Sequence, residues 1–201
     1  SICPDMRLPK LALGSILGLL GPPRSTVHVV GDIYLDMLAK VEGLPTWDGD
    51  TPIETPIETL AGGSALNTAT QLSALLRTRR QRSQESPFRR CVLHSRVGAD
   101  IYGDLVTARI RDAGVKLSGR RHGGQGVCIC LSGQRDRAFV SYKGTVADFT
   151  RDDLDERLLF SKGTSHVHFA AYFDCVGLQP AVPALLARAK ACGATTSLVP
   201  Q

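Results

Sequence analysis

Two short runs hold the side chains best suited to chemistry. In "GDIYLD", Asp32 and Asp36 follow an apolar stretch. A carboxylate at the carboxyl end of a buried strand can accept two hydrogen bonds from vicinal hydroxyls. The same pattern is met by an ordinary turn aspartate. In "ETLAGGSALNTATQLSALL" (58–76), Gly62 and Gly63 stand at the mouth of a helical pattern, with Asn67 one turn in. Glycine lets backbone approach a ligand with no Cβ in the way, and a helix start offers free N–H groups. The Asn67 amide offers a donor and an acceptor, which suits a polyol. A turn that merely uses glycine is the competing reading. The run is not G-x-G-x-x-G, and it lacks the G-K-[ST] of a phosphate-binding loop.

Other candidates carry less. "SRVGADIYGD" places Gly98, Asp100 and Gly103 at a strand-to-helix turn, which a tight βα loop explains. His166 and His168 of "HVH" share one face of a strand, but no further ligands complete a metal set. Six scattered cysteines include no paired C-x-x-C knuckles, so zinc is disfavoured and reduced, mostly buried thiols of an intracellular protein are expected. Cys128 and Cys130 fall on one strand face. No Ser-His-Asp or Cys-His triad follows from spacing. The net charge of +5 owes much to 77–90, where six arginines meet one acid. This run reads as a solvated loop insertion. Nucleic-acid binding is the weaker alternative, because only Phe88 interleaves as an aromatic.

These residues need a scaffold, and 201 residues suffice for one domain with a real core. Val27, Val29 and Val30 make a β-branched first strand that Gly31 ends. A Pro- and Thr-rich loop follows, with an edge strand around 53–59. From Ser64, read as the helix cap, Leu66, Ala69, Leu72, Leu75 and Leu76 fall at helical spacing. A second strand spans 91–98, and Ile101 to Gly114 reads as a helix with its glycine stop. Two strands flank the Ser132-Gly133-Gln134 turn. Thr150 caps a short helix, "SHVHFAAYF" is a strand, and Pro180 and Pro183 open another helix before a last strand at "ATTSLVPQ". The alternation predicts an α/β fold with a mostly parallel sheet. The hairpin and the 53–59 strand break the alternation and predict a small separate β layer. Residues 1–25 stay unassigned; their apolar run is too short to span a bilayer, and a targeting role is left open.

Together, "VVGDIYLD", "AGGSALNTA", "SRVGADIYGD", "IRDAGV", "AFVSYKGTVADFT" and "HVHFAAYF" resemble, in order, the amino-terminal part of a ribokinase-like sugar kinase of the PfkB carbohydrate kinase family. The resemblance covers about residues 27–201. It implies a mostly parallel α/β domain over 26–201, with a β-sheet lid from strands within about 37–60 and 127–142, and the family's carboxyl half missing. It implies sugar contacts by Asp36, Gly62, Gly63 and Asn67, and ATP with Mg2+ for the full-length family. It implies a sugar or nucleoside substrate, a cytoplasmic location and a homodimer through the lid. Two departures bear on chemistry. Tyr34 stands where ribokinase has an asparagine, which counts against ribose. The family's catalytic aspartate belongs to a Gly-Ala-Gly-Asp motif that is absent here, so no catalytic residue is assigned, and a non-catalytic sugar-binding module is the alternative function.

Overall fold

Strand β1 (Thr26–Val30) lies at the centre of a five-stranded, wholly parallel sheet. The computed structural model describes residues 25–200; the unassigned amino-terminal extension lies outside these, apart from Ser25. The sheet also contains β4 (Arg90–His94), β5 (Lys116–Ser118), β8 (Thr164–Phe169) and β9 (Thr195–Leu198), in the order β5-β4-β1-β8-β9. The helices are α1 (Ser64–Gln81), α2 (Ile101–Asp112), the single turn α3 (Glu156–Leu159) and α4 (Val182–Ala191).

The period-2 alternation of β1 sends its side chains into two cores. Val27 and Val29 join Leu93 with Leu66 and Ala69 of α1 and Val106 and Ile110 of α2. Val30 joins Val167 and Phe169 with Leu185 and Ala189 of α4. His28 shares the second face and is fully buried, as is His94. His94 Nε2 lies 2.8 Å from His28 Nδ1, and His28 Nε2 lies 3.2 Å from Thr164 Oγ1. The Thr164 hydroxyl donates to the Leu159 carbonyl at 3.0 Å, so it accepts from His28 Nε2–H. His28 Nδ1 is then an acceptor, and His94 donates to it through Nε2. Both rings are neutral. Burial pushes His28 down to about 4 and His94 down to about 3, with the Lys116 charge acting in the same direction on both.

A second sheet packs beside the first: β2 (Tyr34–Lys40), β3 (Glu58–Gly62), β6 (Val127–Ser132) and β7 (Arg137–Tyr142), in the order β3-β2-β6-β7. It is mixed, since β2 pairs antiparallel with β3 and parallel with β6, while β6 and β7 form an antiparallel hairpin. Alternation recurs in β2. Leu35 and Met37 pack on the first core, while Tyr34 turns into the second.

The structure corrects several expected boundaries. The predicted edge strand at 53–59 forms at Glu58–Gly62, clear of Pro52 and Pro56, which lack a ladder donor. The strand expected over 91–98 ends at His94. The arginine-rich insertion is not loop over all of 77–90. Helix α1 runs to Gln81, because arginine is a good helix former and its charge suits a helix carboxyl end. Ser64 is not the cap of α1 but its first residue, after Gly63. Thr150 caps only a single 3-10 turn (Arg151–Asp153), in a reciprocal capping box with Asp153.

Candidate functional site

The site starts where β1 ends. Asp32, buried in the following turn, reaches the amino end of α1. Its Oδ2 accepts from Ser64 N at 2.9 Å and its Oδ1 from Ala65 N at 2.7 Å. These are two of the donors a helix start leaves unpaired, and the carboxylate also meets the positive end of the helix dipole. Burial raises the Asp32 pKa, and the two backbone N–H groups pull against that rise. Asp32 is therefore an anchor that fixes α1, with both oxygens engaged.

Gly63 lies between anchor and helix. Its φ of +101° is one that L side chains rarely adopt. A Cβ there would also sit 2.9 Å from the Asp32 carbonyl oxygen. Gly62 has a different constraint. A Cβ on it would overlap Asp36 Oδ2 and lie 2.7 Å from Asp36 Cγ. The glycine pair thus serves two carboxylates, Gly63 beside Asp32 and Gly62 beside Asp36.

Asp36 sits mid-strand in β2, abreast of Leu60 on β3 and Cys128 on β6. It is half-buried, and its pKa is raised by burial and then by the negative charge of Asp32. Among the described residues no donor reaches its carboxylate. Cys128 and Cys130 share its face of the sheet, as expected from their spacing. Asn67 is exposed on the first turn of α1, where its N–H donates to the Gly63 carbonyl at 2.9 Å. The fold thus brings Asp36, Gly62 and Gly63 together and carries Asn67 one helical turn beyond them.

Two residues at this end of the sheet, Asp174 and Gln125, escape sequence reasoning. Asp174, in the loop after β8, accepts from Lys143 Nζ at 2.7 Å and from the Tyr34 hydroxyl at 3.5 Å. Burial and the Asp174 charge push the Tyr34 phenol far above its usual range, so it remains a donor. This trio links the end of β7 and the start of β2 to the core. Gln125, also buried, accepts from Gly98 N at 3.0 Å and donates to the Ile33 carbonyl at 2.8 Å. Its own N–H donates to Asp100 Oδ2 at 2.9 Å, while Asp100 Oδ1 caps α2 by accepting from Gly103 N. One glutamine amide thus ties the loops after β1 and β4. The only sequence signal was a polar residue inside the glycine-rich "GGQG".

His166 and His168 do share a face, but they lie away from this site. Thr195 and Ser197 of β9 bond them: Ser197 Oγ is 2.8 Å from His166 Nε2 and 2.7 Å from His168 Nδ1. Burial lowers both pKa values.

Residues 24–200 match the family model described as pfkB family carbohydrate kinase. The chain belongs to this family. No curated protein matches its sequence. Solved structures of the same fold superpose over most of the chain. Arabidopsis thaliana ribokinase complexed with ribose and ATP gives a TM-score of 0.66 at 18% identity, over 88% of this chain and 53% of that one. Adenosine kinase from Sinorhizobium meliloti gives 0.66 at 17%, over 88% and 56%. A putative ribokinase II from E. coli, in complex with ATP and Mg2+, gives 0.64 at 22%, over 88% and 53%. The chain spans about half the length of these relatives. The expected fold, a mostly parallel ribokinase-like α/β sheet with a small lid sheet, is the one observed. Among the described residues no helix is long and apolar enough to cross a membrane.

Proposed function

We propose that residues 26–200 form the substrate-recognising part of a kinase that transfers the γ-phosphoryl group of ATP to a hydroxyl of a sugar or nucleoside. One observation carries this reading: the half-buried Asp36 carboxylate has no donor among the described residues and lies against Gly62, whose missing Cβ leaves it room. Two vicinal hydroxyls match its two oxygens. The raised pKa makes it a better acceptor. Gly63 holds the start of α1 close by, and the Asn67 amide adds a donor and an acceptor for a further hydroxyl. Tyr34 stands where ribokinase has an asparagine, and its hydroxyl is engaged by Asp174. This favours a substrate other than ribose.

ATP and Mg2+ belong to this reading through the family. The described residues gather no set of three or more His, Cys, Asp or Glu side chains fit to hold a metal, and they lack the Gly-Ala-Gly-Asp helix start. The reading therefore stops at substrate recognition. A homodimer through the lid completes it. Leu60, Ile129, Phe139, Val140 and Tyr142 leave apolar surface on the lid exposed, and β3 and β7 each keep one open edge.

Calorimetry of the chain against fructose, ribose and adenosine tests the recognition. Saturable binding of at least one compound is expected, lost in Asp36→Asn, with ribose the weakest. Absence of binding by all three, or binding unaffected by Asp36→Asn, overturns it. Sedimentation of the chain as a monomer at micromolar concentration overturns the dimer.

A further inference from the structure

The opposite end of the core sheet carries a second set of side chains. Helix α1 closes with Arg77, Arg79 and Arg80, and the chain re-enters the sheet through Arg89 and Arg90 at the start of β4. Lys116 opens β5 alongside, abreast of Val92. Arg77, Arg80, Arg89, Arg90 and Lys116 line one cleft of about 180 Å3, together with Ser73 and the Cys91 position, and no carboxylate lines it. The Cys91 thiol is pushed up to about 11 by burial and adds no negative charge at neutral pH. Arg80 and Arg89 also line an adjoining cleft of about 770 Å3, where Arg79 adds a cation and Glu85 is the single acid.

Some cations elsewhere in this fold sit beside acids, among them Arg96 with Asp153, Arg121 with Asp104, Arg151 with Glu156 and Lys143 with Asp174. None of the five cleft cations makes an ion pair among the described residues. Two are instead fixed by backbone carbonyls, Arg77 on Ala113 at 2.6 Å and Arg80 on Arg89 at 3.3 Å. Like charges gathered this closely repel. Here they converge on a concave surface, with two guanidinium groups held in place and donors to spare. That is the arrangement a phosphate group fits, because guanidinium binds phosphate oxygens in bidentate fashion.

We propose that this cleft binds a compact, multiply charged phosphate group, of the pyrophosphate or small phosphate-ester class, at a site separate from the one around Asp36. Phe88 is the one aromatic in the arginine-rich run, so the surface lacks the stacking platform of a single-strand site. The site stands independently of the kinase reading.

Calorimetry with sodium pyrophosphate, on the full chain at constant ionic strength, is the test. The expected result is saturable one-to-one binding, weakened at least about ten-fold in Arg80→Glu/Arg90→Glu, where two charge-assisted contacts are reversed. Lys116→Gln weakens it less. Arg135→Glu, in the turn between β6 and β7, and Asp36→Asn leave it unchanged. Footprinting of the unmutated chain needs no variant to fold: pyrophosphate slows phenylglyoxal modification of Arg80 and Arg90 but not of Arg135. No saturable binding, equal binding by the charge-reversed variant, or labelling unaffected by pyrophosphate overturns the proposal. So does a single-stranded RNA oligonucleotide that binds where pyrophosphate does not.

Discussion

The Asp36 carboxylate lies against the backbone of Gly62, so that a methyl group on the glycine would take the place of the carboxylate oxygen. The two residues face each other across the antiparallel β2–β3 pair, 26 positions apart in the chain and two residues out of direct register. Gly62→Ala is therefore a probe of the Asp36 position that leaves its charge intact. The variant is expected to fold, since Gly62 has no left-handed φ, and to lose about ten-fold or more in affinity for whichever compound of the sugar panel binds. Calorimetry of Gly62→Ala beside Asp36→Asn checks this. Unchanged affinity in Gly62→Ala would mean the carboxylate does not work from its observed position.

Asp32 calls for a different outcome. Both its oxygens accept from the start of α1, so Asp32→Ala leaves Ser64 N and Ala65 N without those acceptors. A loss of about 1–3 kcal/mol in unfolding free energy is expected, from the cost of unmade bonds at a buried helix end. Asp32→Asn, which keeps one acceptor oxygen, should lose less. Urea unfolding of the three proteins decides the matter. Equal stability of all three would remove Asp32 from its role as anchor.

These two carboxylates illustrate what could be read from sequence. The β-branched run of β1 and the Leu66, Ala69 and Leu72 spacing of α1 are local signals, and both elements form where expected. The grouping of Gly62 and Gly63 with Asp36 comes from the family resemblance, since the residues alone leave an ordinary turn open. The role of Asp32 was not legible. Asp32 and Asp36 are equivalent by residue type, the family resemblance singles out Asp36, and the fold, which brings Ser64 back over Asp32, explains why Asp32 is an anchor. Gln125 and Asp174 were invisible for the same reason, as each acts through partners tens of positions away. The end of α1 was misjudged because arginines read as solvated loop, while their good helix propensity continued the pattern of Leu72 and Leu76.

The buried pair His28 and His94 makes the fold sensitive to acid. Unfolded, each ring titrates near 6.5, and folded at about 4 and about 3. Between these values the unfolded chain binds more protons, so stability is fully present above about pH 6.5 and falls as pH drops toward 4. The raised pKa values of Asp32 and Asp36 act in the opposite sense, since a carboxyl that protonates more easily when folded gains stability on acidification. A difference between variants isolates the histidines. Melting temperature measured from pH 7 to pH 4.5 is expected to fall more steeply in the unmutated chain than in His94→Phe, whatever the offset at pH 7. Parallel curves would show that the pair does not carry the pH dependence.

Asp174 joins lid and core through Lys143 at the end of β7 and Tyr34 at the start of β2. The ion pair is more than one-third exposed on both sides, 47% and 39%. Its direct worth is then about 1 kcal/mol or less, because solvent screens it. Asp174→Asn should therefore barely shift the melting temperature. Its effect belongs to dynamics, since the Lys143 contact is what fastens the β6–β7 hairpin to the loop after β8, and loss of the charge frees that end of the lid. Hydrogen exchange should accelerate in β6 and β7 and stay unchanged in β1 and β4. If the proposed role of Asp36 in β2 holds, affinity for the bound compound should fall less than in Gly62→Ala, because β2 keeps its pairing with β3 and the Asp36–Gly62 contact. Uniform exchange across both sheets in Asp174→Asn, or a large loss of global stability, would show that the contact is a structural support of the whole domain and not a tether of the lid.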